Sequence, residues 1–313
     1  MDEHHATSPT EMFRRRNALD VRGSDDRRLR RDVDSGTLIK PWRGVYRAAP
    51  ESSSADAAYL TRVLAACEVA EIDKVVSHHS AAAIHQLPVL HPDHTNVHFT
   101  VNRPAGGHRR GHVLHPARLT SDDVVFVNGI AVTSLARTAA DIARTGNVVQ
   151  AVCIFDSALR AGATADELRD AVVRNRGRVG NAVARAALPH ANRLSESIAE
   201  SFSRALIIGF DDIPTPTVQH ELFTPSGLFV ARVDLYWAEE GMVGEVDGRA
   251  KYTADLAPGE DPGDRVWDEK RREDTIRDLD ETVVRWGWQE CMHPEQLHAL
   301  LRRGLERARR RRR

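Results

Sequence analysis

The residues best placed to do chemistry lie in two neighbouring stretches, Ala231-Arg232-Val233-Asp234-Leu235-Tyr236-Trp237 and Met242-Val243-Gly244-Glu245-Val246-Asp247-Gly248. Both are built from β-formers, and Glu239-Glu240-Gly241 between them reads as the turn of a hairpin. Successive side chains of a strand point to opposite faces, so Glu245 and Asp247 share one face. The hairpin then brings Asp234 near that pair. Carboxylates that converge repel one another unless a hard cation sits between them, and Mg²⁺ or Mn²⁺ prefers such oxygen ligands.

Those strands need elements around them. Residues 194–208 read as a helix with Glu196 and Glu200 one turn apart, closed by Gly209. Thr217–Phe223, 228–237 and Met242–Asp247 read as three strands. A loop rich in Pro, Gly and Asp covers 253–265. Beyond it, 267–286 reads as a charged helix, 288–292 as a strand and 293–309 as a final helix. The order is helix, three strands, helix, strand.

The N-terminal region has a different pattern. After a lead-in over 1–10, short helices are expected at 11–20 and 25–35, with Gly23 in the turn, Ser24 as N-cap and Gly36 just past the end. Leu29 and Val33 form the apolar side of the second helix, and Arg27, Arg28, Arg30 and Arg31 cover the rest. Residues 37–40 and 44–47 read as small strands joined through Pro41-Trp42-Arg43. Helix, helix, β-wing is the order of a winged helix-turn-helix. In such a module the second helix enters a major groove while arginines, here including Arg43, neutralise phosphates. Similar modules also dock proteins.

Between these regions the chain reads as mixed α and β. Helices are expected at 56–71 and after Ser77, strands at 96–101, 111–115 and 124–133 with a bend at Asn128-Gly129, then helices at 135–144, 148–161 and 165–175. Thr164 and Glu167 fit a capping box before the last of them. The histidines of Ser77-His78-His79-Ser80-Ala81-Ala82-Ala83-Ile84-His85 invite a metal reading, but neither Cys nor carboxylate stands at ligand spacing beside them. This region reads as scaffold or partner surface.

With 313 residues the chain is long enough for two or three domains. The patterning divides it into 1–50, 51–190, 191–301 and an Arg-rich tail, 302–313. At 41% hydrophobic residues it is globular. No apolar run approaches the roughly 18 residues of a membrane span, and the N-terminus does not read as a signal peptide, so no membrane partner and a cytoplasmic location are expected. Cys67, Cys153 and Cys291 have neither metal nor disulfide spacing and read as small buried hydrophobes. The net charge of −1 hides a strong asymmetry. Residues 11–50 hold 11 Lys and Arg against 6 Asp and Glu, residues 191–301 hold 11 against 23, and the tail carries eight arginines against the lone acid Glu306. Contact with a polyanion is therefore expected mainly at the two ends.

Two resemblances extend this reading. Arg28-Leu29 through Gly36-Thr37-Leu38, Arg43-Gly44-Val45-Tyr46-Arg47, Ser77-His78-His79-Ser80-Ala81-Ala82 and Val132-Thr133-Ser134-Leu135-Ala136-Arg137-Thr138-Ala139-Ala140-Asp141 together resemble actinobacterial proteins related to the abortive-infection (AbiEi-like) type IV antitoxins. That resemblance covers about half the chain. It implies a winged helix that binds operator DNA, a repressor function, and a cognate toxin as partner. The C-terminal region resembles the PD-(D/E)XK restriction-endonuclease-like superfamily, near its very-short-patch-repair endonucleases. Glu200-Ser201-x-x-Arg204 is similar to the first-helix glutamate motif, Asp234 to the strand aspartate, and Glu245-Val246-Asp247 to the (D/E)-x-K element with Asp247 where lysine is usual. Lys251 or Lys270 is then expected to supply the missing ammonium.

The fold class expected from all this is multidomain α+β, with a winged helix, a mixed α/β middle and an αβββαβ endonuclease-like core. The resemblance implies Mg²⁺- or Mn²⁺-dependent hydrolysis of phosphodiester bonds in DNA, in defence or repair. Asp234 and Glu245 would hold the metal, Glu200 through water, and a lysine would stabilise the growing charge. The rival expectation is a non-catalytic, antitoxin-like repressor.

Overall fold

The computed structural model describes residues 12–20, 25–70, 73–109, 111–247, 272 and 275–313. The chain is mixed α+β and forms two compact units. The first comprises residues 1–87 and 91–142, the second 88–90 and 143–313. The divisions expected at 50/51 and 190/191 fall inside these units.

The first unit opens with β1 (Phe13–Arg14), α1 (Arg15–Asp20), α2 (Asp26–Asp34), β2 (Leu38–Trp42) and β3 (Val45–Ala48). The strands form an antiparallel sheet in the order β1-β3-β2. Residues 13 and 14, read from sequence as helix, instead pair with Tyr46 and Val45. Asp25 caps α2 by accepting from the backbone N–H of Arg28 at 2.7 Å; Ser24, expected in that role, and Gly23 lie outside the described residues. Leu29 and Tyr46 are buried together, with Phe13, Val33 and Leu38 around them.

The rest of this unit is a six-stranded sheet in the order β6-β7-β5-β4-β9-β8. Its strands are β4 (Lys74–Val76), β5 (Val97–Val101), β6 (Gly107–Arg109), β7 (His112–Pro116), β8 (Val124–Val127) and β9 (Ile130–Thr133), with α3 (Ala55–Cys67), α4 (His78–Ile84) and α5 (Leu135–Ala143) completing the unit. Asn128 and Gly129 both have positive φ (49° and 79°), as a two-residue hairpin turn of this hand requires. In α5 the buried Arg137 guanidinium bonds Asp141 at 2.8 Å and Asp123 at 3.2 Å. The charged residues of the 132–141 motif are thus committed to holding a helix on a hairpin.

The second unit begins with α6 (Val148–Arg160), α7 (Ala165–Arg174), α8 (Asn181–Ala187) and α9 (Ile198–Ile207). The Thr164/Glu167 capping box forms as expected. A four-stranded sheet follows, β10 (Thr217–Phe223), β11 (Phe229–Trp237), β12 (Met242–Asp247) and β13 (Thr282–Gly287), in that spatial order. The first three run antiparallel, and β13 runs parallel to β12. The loop expected over 253–265 lies outside the described residues. The chain closes with α10 (Trp288–Met292) and α11 (Pro294–Arg311).

Two stretches of this unit fold otherwise than their sequence pattern predicts. The helix expected over 267–286 gives way at a turn around Asp280 (φ 60°), and Thr282-Val283-Val284 enters the sheet as β13. Residues 288–292 are helical, not extended, because the N–H of Gly287 is taken by the Glu290 side chain at 2.8 Å, which starts a helix there. No helix among the described residues is long and apolar enough to cross a membrane.

Candidate active site

Asp234 stands at a fork between two strands. The ladder of β11 and β12 runs through Trp237↔Met242, Tyr236↔Val243 and Leu235↔Gly244. One step further that register sets Asp234 opposite Glu245, on the same face. At this step backbone pairing stops, and the N–H of Val246 donates to Asp234 Oδ2 at 2.8 Å. The fork is wedged by Arg272. Its Nη1 donates to the β11 carbonyl of Arg232 at 3.1 Å, and its Nη2 to Glu245 Oε2 at 2.8 Å. Gly244 is required beside this point, since a Cβ there would lie 2.5 Å from the Trp286 ring and 2.9 Å from the Trp237 ring.

Glu200 reaches the same place from α9. Ser197 caps that helix, accepting the Glu200 N–H at 3.1 Å, and Glu200 Oε2 accepts the Glu196 N–H at 2.8 Å. One turn on, Arg204 anchors the helix to α6 through a buried pair with Asp156, at 2.9 and 2.7 Å. Gln219 of β10 then joins helix to sheet. Its Nε2 donates to Glu200 Oε2 at 3.0 Å and to Asp234 Oδ1 at 3.2 Å. Burial pushes the Glu200 carboxyl above its ordinary value and the Asp234 charge adds to this, against the hydrogen bonds from Glu196, Ser197 and Gln219.

The structure thus brings Glu200, Asp234 and Glu245 to one region. Asp247 ends β12, half-buried and in register with Gly287. Lys251 and Lys270 lie outside the described residues. Gln219 and Arg272 escape a reading of the sequence, since neither falls in an acidic motif; Gln219 occupies an ordinary position in a strand pattern. Among the described residues no three of His, Cys, Asp and Glu group closely enough to hold a metal ion. The donor set is nevertheless all carboxylate oxygen, which suits a hard divalent cation in kind. Arg272 is the positive charge Glu245 holds in this arrangement.

In the first unit, Arg27, Arg28, Arg30 and Arg31 of α2 are exposed, as is Arg43 in the β2–β3 turn. Leu29 fixes which side of the helix faces inward. The histidine run belongs to a separate cluster. His78 stacks on His115 with ring centroids 3.7 Å apart, His98 Nδ1 lies 2.9 Å from His115 Nε2, and His98 Nε2 lies 3.2 Å from Asp93. Burial, with neighbouring His98, pushes His79 down to about 4.

Residues 302–313, which read from sequence as a helix end dissolving into either a solvated tail or a phosphate-binding arm, are mostly the end of α11. Arg309 bonds the buried Glu240 at 3.2 Å, and Arg312 bonds the buried Glu281 at 3.1 Å and the carbonyl of Ala238 at 2.7 Å. Leu301, Leu305 and Ala308, about one turn apart and buried, turn this face of the helix inward.

No family model matches the chain. Two curated relatives do, the uncharacterized proteins MT2308 and Rv2248 of two strains of Mycobacterium tuberculosis. Each is 30% identical over 223 residues, covering 69% of this chain and 75% of the relative. A crystal structure of the RV2827C protein from Mycobacterium tuberculosis aligns with a TM-score of 0.39 at 15% identity, over 68% of this chain and 84% of that one.

Proposed function

This chain belongs to the family of the two uncharacterized mycobacterial proteins, and from that premise we propose that it is a DNA-binding protein whose second unit hydrolyses phosphodiester bonds. The observation that carries the reading is the fork itself. Asp234 and Glu245 face one another where β11 and β12 part, Glu200 is tied to Asp234 through one amide, and a guanidinium lies at the opening. The order α9, β10, β11, β12, β13, with β13 parallel to β12, supports an endonuclease-like core of the PD-(D/E)XK kind.

Asp234 and Glu245 would hold a Mg²⁺ or Mn²⁺ ion, with Glu200 through water, and the ion would supply Lewis-acid polarisation of the phosphate and a more acidic attacking water. The chain's own groups do the rest. The Val246 N–H fixes the Asp234 carboxylate, and Gln219 fixes its neighbour Glu200. Arg272, about a third exposed at its side chain, offers a planar cation to a phosphoryl oxygen in place of the lysine that is usual where Asp247 stands. Arg27, Arg28, Arg30, Arg31 and Arg43 supply phosphate contacts in a winged-helix arrangement.

Plasmid nicking by the purified protein with Mg²⁺, Mn²⁺ or EDTA tests this. Cleavage is expected with the metals only, and Asp234→Ala should lower it by about 10²–10³-fold, the scale on which loss of one group stabilising transition-state charge is felt. Duplex binding by the same variant should be nearly unchanged. A folded, DNA-binding wild type that cleaves with none of the metals would leave the non-catalytic, antitoxin-like repressor as the reading.

A further inference from the structure

Gln219 has a backbone that no other residue of β10 shares. Its φ is +52°, in the middle of a seven-residue strand, where a non-glycine side chain is strained. The ladder with β11 pairs Thr217 with Tyr236 and Val218 with Leu235, then resumes at His220↔Val233, so Gln219 opposite Asp234 is the step where regular pairing lapses. The strained residue is also the one whose amide meets two carboxylates. Both partners are acceptors, which assigns the nitrogen end of the amide to them. A primary amide has two N–H bonds, and the two carboxylates take one each.

We propose that Gln219 is a positioning residue, a neutral bridge that locks Glu200 of α9 and Asp234 of β11 into one pair, and that its left-handed backbone aims the amide at them. The inference rests on the reading of this site as catalytic for its consequence, though not for its geometry. The neighbouring charged groups are engaged elsewhere. Glu196, expected from sequence inside this helix, lies just before its Ser197 cap; it gives Glu200 its backbone N–H and turns its own carboxylate to Arg232 at 2.6 Å, while Glu245 is engaged by Arg272. A carboxylate at position 219 would add repulsion, a lysine would add charge, and an amide holds both groups without bringing a charge of its own.

Four variants and one pair of resonances test this. In the protein with ¹⁵N-glutamine label, the Gln219 amide should give two separate, downfield, slowly exchanging protons. Glu200→Gln should move one of them and Asp234→Asn the other. Gln219→Ala should lower kcat roughly 10²-fold with KM within about twofold, as expected when reacting groups lose alignment. Gln219→Gly should lower kcat equally while raising Tm by a few degrees, because glycine adopts the left-handed backbone without strain. Amide protons at random-coil positions that ignore both carboxylate variants would overturn the proposal. So would a Gln219→Gly variant that loses stability and activity in step, which is the behaviour of a structural residue. If the wild type cleaves nothing, the hydrolase reading falls, and the amide resonances still decide the bridge.

Discussion

Arg27, Arg28, Arg30 and Arg31 of α2 and Arg302, Arg309, Arg311 and Arg312 at the end of α11 are the same side chain at similar density, in the two units. Those of α2 are exposed around the inward Leu29 and Val33. Those of the C-terminal end are drawn onto acidic partners, Asp212, Glu240, Asp280 and Glu281, two of which are buried. A guanidinium serves whichever anion is nearest. Where the protein's own carboxylates come within reach they engage part of it, and where it stands exposed on the surface it is open to phosphate. For these four arginines a charge count along the chain overstates what is left for a nucleic acid.

The largest expected effect separates the two clusters in binding. Replacing Arg27, Arg28, Arg30 and Arg31 together by Ala should weaken duplex binding roughly 10²-fold near 0.1 M salt and flatten the dependence of log K on log salt by up to about 3–4 units. Arg309→Ala with Arg312→Ala should leave that slope alone. Equal slopes for both variants would erase the distinction.

Acid should also separate the units. His79 titrates near 4 in the fold, below its ordinary 6.5, because burial disfavours its charged form and His98 adds to this, while Asp93 acts against them and His94 with them. The unfolded chain thus binds the proton first. The stability this neutral histidine contributes is whole above about 6.5 and drains away as pH falls towards 4, by no more than about 3 kcal/mol. Asp93, which burial alone would raise, is held at about 2 by hydrogen bonds from Thr95 and His98; its contribution is present above its ordinary value and is lost below it. Hydrogen exchange should show Val97–Val101 opening between pH 6.5 and 4 before Met242–Asp247 does. Parallel loss in both strands would count against the histidine cluster as the cause.

Arg312→Ala should cost about 1–3 kcal/mol in urea unfolding. It takes from Glu281, 5% exposed, its guanidinium partner and leaves the Tyr236 hydroxyl at 2.9 Å, and the cost is tempered because Arg312 itself is 38% exposed. Arg27→Ala should stay within about 0.5 kcal/mol. The smallest effect has the opposite sign. Asp280→Gly relieves a φ of 60° and should gain about 0.5–1 kcal/mol, more than the exposed 4.0 Å pair with Arg311 contributes. Destabilisation by this change would mean that even the outer arginines clamp the helix.

Much of the second unit is legible in advance because its signals are local. Thr217–Phe223 and Met242–Asp247 have the bounds expected from alternation, and Gly241 (φ 72°) makes the turn between β11 and β12. Asp234 and Glu245 can be paired on paper because a short hairpin fixes register. Residues 282–286 read as helix because a charged stretch runs into them, and what makes them a strand is the edge of β12, a non-local partner.

Residue types, alternation and turn chemistry determined on their own that acidic side chains would gather at a hairpin and that arginines would crowd both ends. Tertiary structure alone decided which anion each arginine serves, that Gln219 and Arg272 belong with the carboxylates, and that His98, His115 and Asp93 join the His78 run. Most of those outcomes depend on groups far apart in sequence being brought within 4.0 Å or less. Hydrogen bonds and ion pairs act only at that range, and no periodicity along the chain encodes it.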